Sequence, residues 1–157
     1  MKSLKRLFSY FVGTLAELIT LSRENNGELR KMKLSQASAT LVAELKSRGI
    51  VITEEYAHVV DNNAIRHTLN SHSGERELLR GQVPLTEELL LRIPQVFESY
   101  DQLMTTKNKR GQDVLLYSKT FPEGITVYVE EVRCGRKELA MDTMYIHKTS
   151  VLTDANS

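Results

Sequence analysis

The stretch VLLYSKTFPEGITVYVEEVRCGRKELAMDTMYIH, residues 114–147, decides the fold. It holds three runs rich in Val, Ile, Tyr and Thr, a composition typical of β-strands: residues 114–119, 125–133 and 138–147. Phe-Pro-Glu-Gly and Cys-Gly-Arg-Lys separate these runs, and turn residues between strand-like runs predict hairpins. Residues 100–106 predict a weaker fourth strand. We therefore expect a four-stranded antiparallel sheet.

The residues ahead of this sheet predict helices, because capping residues stand before apolar periodic runs and breakers stand after them. Three helices are expected: one from an N-cap at Ser35 to Gly49, one from Asp61 to Gly74, and one from Thr86 to Ile93, broken at Pro94. Residues 50–52 predict a very short strand or an apolar plug. Helices followed by a β meander indicate an α+β domain whose sheet is covered on one face.

Apolar residues recur at three- and four-residue steps from Leu4 to Ile19, which predicts an amphipathic helix. Glu17 interrupts the run, and its apolar length falls short of the roughly 20 residues that a membrane span needs. We expect no integral membrane span. The stripe docks on the rest of the chain, on a partner helix, or on a membrane surface with its basic end at the headgroups.

Composition divides the chain into three parts. The polar break in residues 22–33 predicts a linker or a helix–helix turn, and Gly49 ends the helix that follows. The expected organisation is a helical segment over residues 1–48, a folded domain over residues 50–148 and a tail over residues 149–157.

Charge and cysteine content narrow the classes of function. The 157 residues carry a formal net charge of +1, so a broad basic surface that grips nucleic acid is excluded and any such contact must be local. The single cysteine, Cys134, excludes an intramolecular disulfide framework and is compatible with a reducing compartment.

The chain contains none of the common nucleotide, hydrolase or zinc-protease motifs, so its chemistry must come from scattered polar groups. His67 and His72 stand five residues apart, a rotation of about 140° on a helix, so they share no face unless the helix ends before His72. This spacing and the lack of a thiolate cluster argue against a metal site. We expect no metal and no cofactor.

Alternation along the strands groups a second set of side chains. Thr143, Tyr145 and His147 share one face of the last strand, Lys119 shares a face with Tyr117, and Arg133 shares one with Val127 and Val129. If the registers bring these faces together, an imidazole, cations and hydroxyls converge. Such a group can cleave a phosphodiester without metal, with the imidazole taking the proton of a ribose 2′-hydroxyl. That step would restrict the substrate to RNA.

Single residues also have ordinary structural explanations. His58 is expected to face solvent or to pack beside Tyr56, and His147 to lie on the surface near a strand end. Arg66 is a candidate partner of Asp61 or of a carboxylate on the sheet.

The order of several short motifs resembles that of the phage-associated barnase–EndoU–colicin–RelE-like (BECR) nuclease domains. The motifs are Val-Val-Asp-Asn-Asn-Ala-Ile-Arg-His at 59–67, His-Ser-Gly-Glu at 72–75, Gly-Gln-Val-Pro-Leu-Thr-Glu-Glu at 81–88, Ile93-Pro94, Tyr100-Asp101, Val-Tyr-Val-Glu-Glu-Val-Arg at 127–133 and Thr-Met-Tyr at 143–145. The resemblance covers residues 59–145, and the order of the motifs is more specific than any one of them.

The resemblance implies a metal-independent ribonuclease fold with helices against a four-stranded antiparallel sheet. It makes His67 the best candidate for general acid or base. The other catalytic positions that it implies are His72, Lys119, Thr143 and Tyr145. Arg66 and Arg133 are the candidates for holding phosphate.

The resulting hypothesis is a toxin-like endoribonuclease of the cytoplasm of a host or target cell. Its expected partners are RNA, a cognate immunity or antitoxin protein, and a protein docked on the N-terminal amphipathic helix. Two alternatives stay open: an inactive RNA- or protein-binding module of a phage or mobile element, and a small phage structural component.

Overall fold

Helices and strands alternate along the first two thirds of the chain in the computed structural model, which describes residues 14–24 and 28–148. The helices of these residues are α1 (Leu15–Ser22), α2 (Ala39–Ser47), α3 (Asn62–His72), α4 (Glu75–Leu79), α5 (Glu87–Leu90) and α6 (Ile93–Glu98). The strands are β1 (Lys31–Gln36), β2 (Ala57–Asp61), β3 (Gln82–Val83), β4 (Gln102–Lys107), β5 (Asp113–Phe121), β6 (Gly124–Arg133) and β7 (Glu138–His147).

Side-chain caps fix where most helices begin. Asp61 accepts a hydrogen bond from Ala64 N and Thr86 accepts one from Leu89 N, which confirms both predicted starts. The cap of α2 is Ser38, so the prediction of Ser35 was wrong; Ser35 lies in β1. Pro94 stands in the first turn of a new helix, α6, because a proline is tolerated where no intrahelical N–H bond is needed.

The sheet has seven strands, so the predicted four-stranded sheet was an underestimate. Its order is β1-β2-β7-β6-β5-β4, and β3 pairs with the second half of β7. The strand pairs are antiparallel except β2 with β7, which is parallel. The four predicted strands are confirmed as β4 to β7, whereas β1, β2 and β3 were missed. β1 overlaps the predicted linker and falls within the predicted helical segment 1–48.

Residues 50–52 form no strand. Ile50 and Ile52 are buried whereas Val51 is exposed, so the alternative of an apolar plug is confirmed. The division at residues 48–50 stays a prediction. Most of the predicted N-terminal helix, the break at residues 25–27 and the tail 149–157 lie outside the described residues.

The pairing defines two faces of the sheet. Tyr117, Tyr128 and Met144 stand in one row across β5, β6 and β7, on what we term the core face. The main apolar core joins this face to residues of α1, α2, α3, α5 and α6. The neighbouring row, Val127 with Tyr145, points to the opposite side, which we term the second face. A smaller apolar cluster of Val114, Val127 and Val129 lies there.

A bulge in β7 keeps both faces consistent. Val129 pairs with Thr143, but the next residue, Glu130, pairs with Met141, so Asp142 is the extra residue. As a result Met141 and Met144 both join the core, while Thr143 stays on the second face.

The core face contains a fully buried polar group. The His58 ring is buried with Nδ1 2.7 Å from Glu130 Oε2, and the Tyr117 hydroxyl donates to Glu130 Oε1 at 2.7 Å. The ring stacks on Phe97 with centroids 3.8 Å apart. The expectation that His58 faces solvent was therefore wrong, because its strand pairs inside the sheet and not at its edge. Burial and the neighbouring Glu130 raise the pKa of Tyr117 well above its usual value, so this hydroxyl stays protonated.

Candidate functional site

Two of the predicted site residues, His72 and Tyr145, meet at the second face of the sheet. Their ring centroids are 5.6 Å apart. His72 is the last residue of α3, and its carbonyl accepts a hydrogen bond from Leu85 N at 2.8 Å, which holds the helix end against the segment after β3. Tyr145 is half-buried in the middle of β7's second half. We take this pair as the centre of the candidate site.

A buried carboxylate lies behind the histidine. Glu77 of α4 is fully buried, and its Oε2 lies 3.2 Å from His72 Nδ1, while its Oε1 lies 3.4 Å from Arg80 Nη1. In the tautomer that carries its proton on Nδ1, His72 donates to this carboxylate, because an ionised carboxylate only accepts hydrogen bonds. The lone pair of Nε2 is then the basic group of the ring.

Polar atoms without partners surround this pair. Thr143 Oγ1 and Gln82 Oε1 are buried and form no hydrogen bond within the described part of the chain. Thr143 lies two residues before Tyr145, on the same face, and Gln82 lies opposite His147 in the β3–β7 pair. Buried polar atoms without partners are costly in free energy, and Thr68, Thr126 and Tyr128 in the interior also keep one each. What makes Thr143 and Gln82 candidates for a ligand is their place on the strands beside Tyr145.

The Tyr145 hydroxyl acts as a donor. Burial raises the pKa of Tyr145, so the phenol keeps its proton at neutral pH and can donate a hydrogen bond to an anion.

His147 adds a second imidazole. Its ring lies edge-on to that of Tyr145, with centroids 5.1 Å apart. The side chain is exposed, as expected for a surface residue. The rings of His72 and His147 therefore both contact the ring of Tyr145.

His67, the best candidate from the resemblance, is not part of this group. α3 continues to His72, so the two histidines point about 140° apart. The buried residues of α3 are Asn62, Ile65 and Thr68, and His67 is exposed away from them.

Lys119 and Arg66 also lie elsewhere. Lys119 pairs with Thr126 and so points to the core-face side, where its Nζ donates to Ser99 O at 2.8 Å. The condition that its face coincides with that of Tyr145 is therefore not met. Arg66 donates from Nε to Ser22 O at 2.8 Å, a contact that ties α3 to the end of α1 and not to Asp61.

Arg133 shares the second face with Tyr145 but stands at its other end. Arg133 on β6 pairs with Glu138 on β7. It lies six residues along β6 from Val127, the residue that pairs with Tyr145. Its Nη2 lies 3.3 Å from Glu131 Oε2.

Sequence reasoning missed Glu77 and Gln82 as members of the site. Both lie inside or next to motifs that were quoted, but an exposed and a buried glutamate look the same in Glu75-Arg76-Glu77. Only the position of α4 against His72 separates them, and no local pattern encodes that position.

No helix within the described residues is long and apolar enough to cross a membrane. Their His, Cys, Asp and Glu side chains form no group of three or more that could hold a metal ion.

Comparison with known proteins gives one match. A family model described as phage-Barnase-EndoU-ColicinE5/D-RelE like nuclease3 matches residues 36–154. Curated proteins and solved structures gave no match to the chain.

Proposed function

Since the chain belongs to the phage-Barnase-EndoU-ColicinE5/D-RelE like nuclease3 family, we propose that it is a metal-independent endoribonuclease whose active site is the group around His72 and Tyr145. The observation that carries this proposal is the His72–Glu77 pair against the Tyr145 ring, with a buried carboxylate on Nδ1 and the opposite ring nitrogen free to act as a base. Family membership supports the reaction class, and this geometry supports the assignment of residues.

His72 is the general base. Its Nε2 takes the proton of a ribose 2′-hydroxyl, and O2′ then attacks the adjacent phosphorus. The imidazolium that forms is stabilised by Glu77, which also keeps the ring in its orientation. DNA lacks the 2′-hydroxyl and therefore cannot react in this way.

Two hydroxyl groups stabilise the charge on the phosphoryl oxygens. The protonated phenol of Tyr145 and the Thr143 hydroxyl, which has no partner among the described residues, are donors on the same face of β7. On the neighbouring strand, Gln82 Oε1 has no partner among the described residues and is an acceptor suited to a ribose hydroxyl. Donors held in place before the reaction stabilise the transition state without reorganisation.

His147 is the general acid. Protonated, it lies beside Tyr145 and gives a proton to the 5′-oxygen as the P–O5′ bond breaks. The products are a 2′,3′-cyclic phosphate and a 5′-hydroxyl, which balances the proton taken by His72. The exposure of His147 allows the ring to regain a proton from solvent.

The biological setting is that of a toxin-like effector. We place its action in the cytoplasm of a host or target cell, where RNA is the substrate and a cognate immunity or antitoxin protein neutralises it. In the described part of the N-terminal amphipathic stripe, Leu15, Leu18 and Ile19 pack in the main core, as one of the expected alternatives predicts. A docked protein is therefore proposed only for residues 4–12.

The decisive experiment incubates the folded protein with total RNA in EDTA, with single-stranded DNA of matched sequence as the control substrate. We expect RNA fragments with 2′,3′-cyclic phosphate ends and intact DNA. RNA that stays intact while circular dichroism shows a folded protein would overturn the proposal and favour a binding module.

A further inference from the structure

A second polar feature lies on the same face of the sheet, at the end opposite to His72. The β4–β5 turn and the turn after β6 enclose an open groove of about 500 Å³, lined by three arginines: Arg110, Arg133 and Arg136. Glu131 lies in the groove between them. The described residues thus form a site rich in guanidinium groups away from the proposed catalytic group.

One buried carboxylate holds two of the groove arginines in place. Glu131 is buried, and its Oε1 lies 2.7 Å from Arg110 Nη2, while its Oε2 lies 3.3 Å from Arg133 Nη2. Arg136 is exposed and forms no ion pair within residues 14–24 and 28–148. Three cations facing one carboxylate leave an excess of two positive charges in a protein whose net charge is only +1.

An excess of guanidinium groups in a groove is suited to an anion with several oxygens. Guanidinium groups bind phosphate with paired N–H donors, and these charge-assisted bonds are stronger than neutral ones. The wide opening fits a chain that passes through better than a small ligand that must be enclosed.

Distance links the groove to the proposed site. Arg133 lies six residues along β6 from Val127, which pairs with Tyr145, so the two sites are about 20 Å apart on one face at about 3.3 Å per residue. We infer that the groove binds backbone phosphates of the same RNA strand whose cleaved phosphodiester lies at His72. This inference rests on the proposed function and adds that the substrate must span both sites.

The groove cannot act on the catalytic group through its charge alone. A separation of about 20 Å is at least twice the Debye length of about 8–10 Å at physiological salt, so the field of the arginines is largely screened at His72. Its contribution must come through an RNA long enough to reach it.

The test compares long and short substrates with a matched pair of variants. R110Q/R136Q removes two charges from the groove. The control R23Q/K46Q removes two exposed charges elsewhere, one at Arg23 just after α1, where it pairs with Glu87, and one at Lys46 in α2. The substrates are dinucleoside monophosphates and a single-stranded RNA of about 12 nucleotides, within the usual range of single-strand sites. Binding is measured separately by fluorescence anisotropy with a 12-nucleotide 2′-O-methyl RNA, which lacks the attacking hydroxyl.

For R110Q/R136Q we expect about a tenfold higher KM on the long RNA, an unchanged kcat, and unchanged cleavage of dinucleoside monophosphates. The slope of log affinity against log salt should fall by about 1.4, the loss of two phosphate contacts on a single strand. R23Q/K46Q should match the wild type in each assay.

Failure of this inference is separable from failure of the proposed function. If R110Q/R136Q binds the 2′-O-methyl RNA as tightly as R23Q/K46Q does, the groove is not a phosphate site, whether or not the protein cleaves RNA. If the wild type cleaves nothing but its affinity for the probe still depends on Arg110 and Arg136, the groove stands and the catalytic proposal is wrong.

Discussion

The molecule contains two histidine–glutamate pairs, and the sheet separates them. His58 and Glu130 lie on the core face, with side chains 3% and 0% exposed, and the ring is stacked on Phe97. His72 and Glu77 lie beside the second face, where the glutamate is equally buried but the ring is 18% exposed. The chemical groups are the same in both pairs, so the access of substrate to the ring separates a pair that supports the fold from one that can catalyse.

The second difference lies in what surrounds each pair. Glu130 has both oxygens occupied by His58 and the Tyr117 hydroxyl, which completes a closed network in the core. Buried polar atoms without partners among the described residues occur on both faces, at Tyr128 and Thr126 on the core face and at Thr143 and Gln82 on the second face. Only the second pair lies on the side of the sheet where an accessible imidazole stands. A closed network stabilises the protein, whereas unpaired donors and acceptors next to an accessible imidazole are suited to a ligand.

The largest expected effect comes from removing the accessible ring. H72A should lower RNA cleavage per folded molecule by about 10²–10⁴-fold, the usual contribution of a general base. It also leaves the buried Glu77 with Arg80 as its remaining ion-pair partner among the described residues, so the free energy of unfolding should fall and is measured separately. H67A removes an exposed ring from the same helix and is the matched control; it should keep most of the activity. If H67A abolishes cleavage and H72A does not, the active site lies on the other side of α3.

Breaking the closed network should affect stability instead. E130L leaves the Tyr117 hydroxyl and His58 Nδ1 buried without their partner, so we expect the free energy of unfolding to fall by about 2–4 kcal/mol in urea titrations. The isosteric E130Q should lose less, because an amide keeps part of the hydrogen bonding. Activity per folded molecule should be unchanged in both variants; a loss of kcat in E130Q would assign the core pair a catalytic part.

The same isosteric change in the other pair should have the opposite outcome. E77Q removes the charge that orients His72 and stabilises its protonated form, so we expect kcat to fall by about 10–100-fold. KM for a dinucleoside monophosphate should change little, which distinguishes a positioning residue from a binding residue. Equal kcat values for E77Q and the wild type would contradict the assignment.

The smallest effect is expected at an ion pair that belongs to neither network. Arg92 donates to both oxygens of Glu123 at the β5–β6 turn, and these bonds lower the pKa of Glu123 to about 2. The pKa of Glu123 in the folded protein lies below its usual value of about 4.3. The ion pair therefore stabilises the fold above about pH 4.3, and this stabilisation is lost as the pH falls toward 2. The pair is partly exposed, so E123Q should cost less than about 1 kcal/mol at pH 6.

Urea titrations of E123Q and the wild type at several pH values check this sign. The difference between them should shrink as the pH decreases from about 4.3 toward 2. A difference that grows in acid would mean that the carboxylate is better stabilised in the unfolded chain.

The sequence predicted the elements whose information is local. Strands β5, β6 and β7 are nine or ten residues long, rich in Val, Ile, Tyr and Thr, and bounded by turn residues. The caps Asp61 and Thr86 act on N–H groups three residues away. β1, β2 and β3 are short, and their residues were interpreted as other elements or as loops. β1 does carry a local signal, because Met32 and Leu34 alternate with polar residues and pack against the main core.

The candidate site was predictable in part for the same reason. The parity of β7 placed Thr143 and Tyr145 on one face, and the resemblance singled out His72. The face on which Lys119 lies relative to Tyr145 depended on the register between β5 and β6. A shift of that register by one residue would move Lys119 to the other face. Glu77 and the groove arginines depend on where α4 and two turns lie, and only the assembled chain defines that.

The strand that carries Tyr145 is also the last one in the described sequence, yet it lies between β2 and β6 in the middle of the sheet. A nascent chain without β7 leaves β2, β3 and β6 without their shared partner and lacks Thr143 and Tyr145. The candidate site therefore stays unassembled until β7 has been synthesised.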